Sequence, residues 1–183
     1  MKIMAMADLH GSGYYAKLAY QRFLEEKPDK VVTLGDMVYQ GVRNPLTREF
    51  SGPDTVEQLN LMAEKSVGVR GNCDADVHQE FLKYPMMADY LLIIEGGRTI
   101  FATHGHIFNQ DHMPGLEAGD VLLMGHFHKP SWYKKDGVWC MNPGSLACPK
   151  EDTPHGYLII EDGKTFTWKN VEDGSVFHKE VID

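Results

Sequence analysis

Lys2-Ile3-Met4-Ala5-Met6-Ala7 opens the chain as an unbroken apolar run that meets Asp8-Leu9-His10, and a second run, Val31-Val32-Thr33-Leu34, meets Gly35-Asp36. Between them Tyr14 to Lys27 has helical periodicity. Ala16, Ala19, Tyr20, Phe23 and Leu24 fall at i, i+3, i+4, i+7 and i+8, one stripe of an α-helix, and the other face is Lys, Gln, Arg and Glu. A Gly- and Pro-bearing stretch from Tyr39 to Pro53 follows, then a weaker helix around Thr55 to Lys65, then a short run, Ser66 to Val69. Continuous apolar strands separated by helices imply a parallel sheet covered on both faces, so the first half reads as α/β.

The second half changes character. Gly96-Gly97, Asp136-Gly137, Asp162-Gly163 and Asp173-Gly174 each separate β-prone runs such as Tyr157-Leu158-Ile159-Ile160 and Thr165-Phe166-Thr167-Trp168. Residue pairs that tolerate positive φ between such runs predict hairpins. The expected fold is α/β, two packed mixed β-sheets flanked by helices, one sheet fed by the α/β half and the other by the hairpins. With 183 residues, 43% of them hydrophobic, the chain buries one substantial core. Splitting it would leave two marginal halves, so residues 1–183 are expected to form a single domain.

A formal charge of -8 opposes a long contact with a nucleic-acid backbone, which draws on clustered Lys and Arg. No stretch approaches the roughly 18 apolar residues of a membrane span, and the opening run is too short for a signal sequence. Cys73, Cys140 and Cys148 are an odd number without a CxxC pair, which suits a reducing compartment. A cytoplasmic protein is expected.

Five strand-like runs end in polar residues of ligand type: Asp8-Leu9-His10, Gly35-Asp36, Gly71-Asn72, His104-Gly105-His106 and Gly125-His126-Phe127-His128. Ligands of open α/β sheets bind beyond the carboxyl ends of the strands, so five such ends predict one crevice. Singly, each residue has a plainer reading: Asp8 and Asp36 as helix caps or turn residues, Asn72 as a turn residue in the left-handed region. Collectively they do not, because five of the nine histidines fall in three short clusters at strand ends, while His78, His112, His155 and His178 lie elsewhere. Two carboxylates, an amide oxygen and five imidazoles suit Mn, Fe, Zn, Co or Ni better than Ca. Seven or eight donors exceed one tetrahedral ion and match two ions about 3.5 to 4 Å apart with a shared carboxylate, for which Asp36 is the candidate.

Asp-x-His, Gly-Asp, Gly-Asn-x-Asp, His and Gly-His-x-His, in that order from Asp8 to His128, resemble the calcineurin-like metallophosphoesterase superfamily. Asp8-Leu9-His10-Gly11-Ser12, Arg70-Gly71-Asn72-Cys73-Asp74, Thr103-His104-Gly105-His106 and Asn142-Pro143-Gly144-Ser145 look most like its small bacterial and archaeal phosphodiesterases of the YfcE type. The resemblance implies a β-sandwich with βαβ units and hydrolysis of small phosphodiesters by a water that two divalent cations share and ionise. It implies Mn²⁺ as the expected ion, with Zn²⁺, Fe²⁺, Ni²⁺ or Mg²⁺ as alternatives. One ion would take Asp8, His10, Asp36 and His128, and the other Asp36, Asn72, His104 and His126. Asp36, Asn72 and His104 would be the catalytic set; Asn72, Cys73 and His106 would face substrate, with His106 alternatively orienting a ligand.

Many relatives have His where this chain has Cys73, and that His can protonate a leaving alkoxide. A thiol near its usual pKa of roughly 8.5 is a weaker acid, so diesters with good aryl leaving groups are expected to be preferred. The 39–53 stretch, with Arg43 and Arg48, is long for a connection and is a candidate substrate rim. The alternatives are a phosphomonoesterase or nuclease on the same centre, or a protein-binding scaffold resembling a retromer subunit. A monoester would need additional positive contacts that the letters do not locate. They also leave the oligomeric state open, a homo-oligomer included.

Overall fold

Strand β1 (Lys2–Met6) lies in the interior, and its alternation explains why the opening run has no polar face. Met4 and Met6 point into a cluster shared with the helices, while Ile3, Ala5 and the following Ala7 point into a second cluster between two sheets. A strand buried on both sides has no solvent face to mark with charge. The computed structural model describes residues 1–183. After β1 come α1 (Gly13–Glu26), β2 (Lys30–Thr33), α2 (Gly52–Asn60), a 3-10 turn (Ala63–Lys65), β3 (Ser66–Gly68) and α3 (Asp76–Phe81). The remainder is all β: β4 (Tyr90–Glu95), β5 (Arg98–Thr103), β6 (Val121–Met124), β7 (Ser131–Lys135), β8 (Val138–Asn142), β9 (Gly156–Glu161), β10 (Thr165–Asn170) and β11 (Val176–Val181).

The strands form a six-stranded sheet of order β11-β10-β9-β1-β2-β3 and a five-stranded sheet of order β4-β5-β6-β8-β7. Both are mixed. β1, β2 and β3 are parallel to one another, as are β5, β6 and β8. The four predicted turns each close an antiparallel hairpin. At Asp136-Gly137 and Asp162-Gly163 both central residues have positive φ, as the two-residue turn requires.

Three expectations are corrected. The sheets do not divide into an α/β half and a hairpin half: β9 pairs antiparallel with β1, so β9, β10 and β11 extend the first sheet. In the helical stripe Ala16, Ala19, Tyr20 and Phe23 pack in or against the core as expected, joined by Tyr15, but Leu24 is 52% exposed. The segment around Thr55 to Lys65 is two pieces, α2 and the 3-10 turn, interrupted at Leu61-Met62. The covering layer is also one-sided. Helical residues Tyr15, Ala16, Ala19 and Leu59 pack in the same cluster as Met4 and Met6 of the first sheet. The outer face of the second sheet, Phe101, Leu122, Met124 and Cys140, is instead covered by Phe108, Met113 and Leu116 from the loop after β5.

Ser12 starts α1, its hydroxyl accepting from the Tyr15 N–H, and Lys27 ends it in the left-handed region ahead of Pro28. Ser51 and Pro53 start α2. Trp168 of β10 is fully buried between the sheets, and its Nε1–H donates to the Asn142 carbonyl at 2.7 Å. That bond joins the first sheet to the end of β8.

Candidate metal centre

The carboxyl ends of β1, β2, β3, β5 and β6 deliver Asp8, Asp36, Asn72, His104 and His126 to one place, and the loops beyond β1 and β6 add His10 and His128. The sheet ladder continues past the strands to hold them: Asp8 N–H donates to Gly35 O at 3.1 Å and His10 N–H to Asp36 O at 2.9 Å. Five of the seven sit in the left-handed backbone region: Asp8 at φ 55°, His10 at 47°, Asp36 at 54°, His126 at 66° and His128 at 61°. Each such residue costs on the order of 1 kcal/mol or more. The strain turns side chains that a strand would alternate across its two faces toward a common point.

Two groups of donor atoms meet there. In one, His10 Nε2 lies 3.2 Å from His128 Nε2, and Asp8 Oδ1 lies 3.8 and 3.4 Å from those nitrogens. In the other, His104 Nε2 lies 3.2 Å from Asn72 Oδ1 and 3.2 Å from His126 Nδ1. Asp36 Oδ2 stands between them, 3.8 Å from His10 Nε2 and 3.4 Å from His104 Nε2.

Each carboxylate is divided in the same way. Asp8 Oδ2 accepts the His126 N–H at 2.9 Å, and Asp36 Oδ1 accepts the Cys73 N–H at 2.8 Å. The other oxygens face the cluster, and Asp8 Oδ1 is buried with no hydrogen-bond partner. A buried carboxylate oxygen without a donor requires a cation or a proton. Three imidazoles are fixed from behind: His10 Nδ1 on Tyr39 O at 3.0 Å, His104 Nδ1 on Leu34 O at 2.7 Å and His128 Nδ1 on Cys148 O at 2.8 Å. Donation to a carbonyl keeps a proton on Nδ1, so that in the neutral ring it is Nε2 that presents a lone pair inward.

Without cations, protons balance this cluster. Burial pushes the Asp8 carboxyl up to about 8. Burial acts the same way on Asp36, but the hydrogen bond and charge of His104 hold its carboxyl well below the usual carboxylate range. For His104, burial is outweighed by the Asp36 and Asp8 carboxylates, which lift the imidazole to about 9. Burial lowers His126 and His128 to about 4, with the His104 charge adding to the effect at His126. Four imidazoles and two carboxyl groups, once the protons on His104 and Asp8 are displaced, are the donor set a divalent cation takes. Asp8, His10 and His128 could hold one ion, and Asp8, Asp36 and His104 another.

Asp8, His10 and His104 form a fully buried floor. Above it opens a cleft of about 750 Å³, lined by Asp36, Asn72, Cys73, His126 and His128 from the predicted set. His106 does not line it. Its ring packs edge-on against His104 at 5.3 Å. Cys73 sits at the wall and accepts from Asn72 Nδ2 at 3.2 Å. Burial, and then the Asp36 charge, push its thiol up to about 12, which keeps it protonated at neutral pH.

Several residues of the site escaped the sequence reading. Asp74, its side chain fully buried, accepts from Asp36 N at 2.7 Å, Met37 N at 3.2 Å and Gly71 N at 2.9 Å, clamping the β2 and β3 loops together. Gly71 permits that contact: a Cβ there would lie 2.1 Å from Asp36 Oδ1. Ser145 donates to Asp8 O at 2.7 Å, and Asn142 Nδ2 to Gly125 O at 2.7 Å, fixing two more loops from behind. Asp74, Asn142 and Ser145 all lie in quoted motif segments, so the signal was present without a role. His78, set aside in the sequence, lines the cleft, as do Arg43, Phe127 and Lys150.

The calcineurin-like phosphoesterase superfamily domain matches residues 1–164. Phosphodiesterase YfcE of Escherichia coli is 34% identical over 162 residues, 88% of each chain. The structure of that phosphoesterase covers 100% of both chains with a TM-score of 0.95 and 32% identity. Vps29 of Entamoeba histolytica covers 100% of both at a TM-score of 0.68 and 20% identity, a likeness of fold alone. With the donor cluster, the two-sheet architecture and these matches in agreement, the chain belongs to the calcineurin-like phosphoesterase superfamily.

Proposed function

We propose that this chain is a phosphodiesterase that hydrolyses small phosphodiesters at a centre of two divalent cations. The observation that carries the reading is Asp36 Oδ2, placed between two donor groups that are otherwise complete. Asp8, His10, Asp36 and His128 would hold one cation, and Asp36, Asn72, His104 and His126 the other. Bound there, the cations supply a water ionised near neutral pH and neutralise phosphate charge. The protein's own contribution is position. Carbonyls fix three of the four histidine ligands, the Asp74 clamp fixes Asp36 against the Asn72 loop, and Asn72 and His126 line the cleft where a phosphate would bear on them.

The name of the E. coli relative supports the diester, and the cleft volume suits a small molecule better than a polymer. Mn²⁺ is the metal we assign, since an oxygen- and imidazole-rich set without thiolate suits it. The three free cysteines support a reducing compartment, the cytoplasm. The resemblance to a scaffold subunit carries less weight, because every donor position is filled here.

The test is metal-stripped protein reconstituted separately with Mn²⁺, Mg²⁺, Zn²⁺ and Ni²⁺ and assayed on matched aryl mono- and diesters. Metal-dependent turnover of diesters, greatest with Mn²⁺, is expected. Turnover that survives complete removal of metal, or turnover of monoesters alone, would overturn the reading.

A further inference from the structure

Arg43 and Lys150 both line the cleft beside Asp36, Asn72, His126 and His128, and neither side chain has an acidic partner or a hydrogen bond. What sets these two apart from the other cations without a carboxylate partner is their place, in the wall of the cleft beside the proposed ligands. Seven other Lys and Arg side chains are paired with carboxylates. These two face an open cavity instead.

Both cations stand on backbone tied to the proposed centre. Arg43 rides the loop whose Tyr39 carbonyl fixes His10 Nδ1 at 3.0 Å and whose Asn44 Nδ2 lies 3.3 Å from His10 Nε2. That loop is closed on itself by reciprocal bonds between Gln40 and Asn44, at 2.8 and 2.9 Å, and pinned further along by Thr47 Oγ1 donating to His10 O at 3.2 Å. Lys150 is anchored by its own N–H, which donates to the His128 carbonyl at 3.0 Å, two residues beyond the Cys148 carbonyl that fixes His128 Nδ1. His10 and His128 are themselves neighbours. Two unpaired cations are thus held in register with the group containing Asp8, His10 and His128.

Resting on the phosphodiesterase reading, we infer that Arg43 and Lys150 form a second anion subsite, and that the preferred substrate is a small phosphodiester carrying a further phosphate group on one arm. The scissile phosphate occupies the metal centre, and the second phosphate meets the guanidinium and the ammonium. A guanidinium fork matches two phosphate oxygens, and an ammonium adds a point charge. Phe127, 37% exposed between His126 and His128, lines the same cleft and offers an apolar face to the uncharged part of that arm.

The experiment compares two substrates of the Mn²⁺-loaded enzyme: the 4-nitrophenyl ester of a nucleoside 5′-phosphate, and the same ester with a 3′-phosphate. The wild type is expected to show a KM at least about tenfold lower for the 3′-phosphorylated ester, with kcat little different, as for charge-assisted contacts made before the chemical step. The advantage should shrink between 50 mM and 500 mM salt, because both cations are exposed. In R43Q/K150Q the ratio of the two KM values should fall toward one, and R43K, which keeps the charge without the fork, should fall between that and the wild type. Equal KM values in the wild type, or an advantage that survives R43Q/K150Q, would overturn the subsite and leave the phosphodiesterase reading standing. Faster turnover of 4-nitrophenyl phosphate than of either diester would also overturn it, assigning the two cations to the scissile group. Failure to cleave any diester would remove the reading on which the subsite rests.

Discussion

Replacing Asp74 tests how the site is held without touching any proposed ligand. Its carboxylate satisfies three backbone donors, two on Oδ2 and one on Oδ1, and joins the loop carrying Asp36 to the loop carrying Asn72. In D74N the amide oxygen can keep the Asp36 and Gly71 bonds, but the amide nitrogen then faces the Met37 N–H, donor against donor. One bond is lost, and two change from charged to neutral acceptors, which are roughly half as strong. The donors are partly buried, so a cost of about 2 kcal/mol follows, and about 4 kcal/mol for D74A, which strands all three. For a domain of this size each kcal/mol lowers Tm by about 2–4 °C, giving about 4–8 °C for D74N and twice that for D74A. Thermal unfolding of metal-stripped protein measures this directly. Loosening Asp36 against Asn72 should also weaken uptake of a second Mn²⁺ by about 10- to 100-fold, measured by titration. A D74N protein melting within 1 °C of wild type, with both metal affinities unchanged, would refute the clamp.

Three further outcomes follow from the same geometry. Between pH 7.5 and 9 the metal-stripped protein should lose stability, because Asp8 and His104 have folded-state pKa values of about 8 and about 9, above their unfolded values, and folding holds protons that rising pH removes; the opposing contributions of His10, His106, His126 and His128, all lowered, are nearly complete about one unit above the ordinary imidazole value of 6.5. Calorimetric melting across that range checks the sign, and a rising Tm would contradict it. Gly71→Ala should cut Mn²⁺ stoichiometry and activity at least about 100-fold, since its methyl would sit on Asp36 Oδ1; full metal loading of G71A would show that the β3 loop yields. Aryl diesters should be cleaved much faster than alkyl diesters, because the Cys73 thiol, pushed up to about 12, is a poor proton donor; C73H should flatten the dependence of rate on leaving-group pKa, and an unchanged slope would dismiss that role for position 73.

What was legible in the sequence is what depends on neighbours along the chain. Asp-Gly and Gly-Gly pairs announce their hairpins because positive φ is a local demand, met at both residues in three of the turns and at Gly174 alone in the fourth, and all four close antiparallel pairs. The turns do not say which strand lies on a hairpin's far side, so the pairing of β9 with β1, and with it the make-up of both sheets, was not readable. Leu24 fitted the helical period yet faces solvent at the edge of a stripe whose Ala16, Ala19, Tyr20 and Phe23 do meet the core, because period alone does not set where the covered face ends. The candidate ligands stood out because chemistry confines them to side-chain types that cluster at strand ends. Asp74, Asn142 and Ser145 stood within the motif segments, but they act on backbone groups from other loops, and a motif does not say which backbone a side chain will reach. Arg43 was legible as part of a candidate rim, and residues 39 and 41–44 do line the cleft; Lys150 was not, because an unpaired cation is recognised only when the surrounding carboxylates have been placed.

The most direct test of the central claim is a crystal of the protein grown with Mn²⁺ and measured at a wavelength where manganese scatters anomalously. Two peaks are predicted, one ringed by Asp8, His10, Asp36 and His128 and the other by Asp36, Asn72, His104 and His126, with Asp36 touching both. A single peak, or two peaks that do not share Asp36, would contradict it.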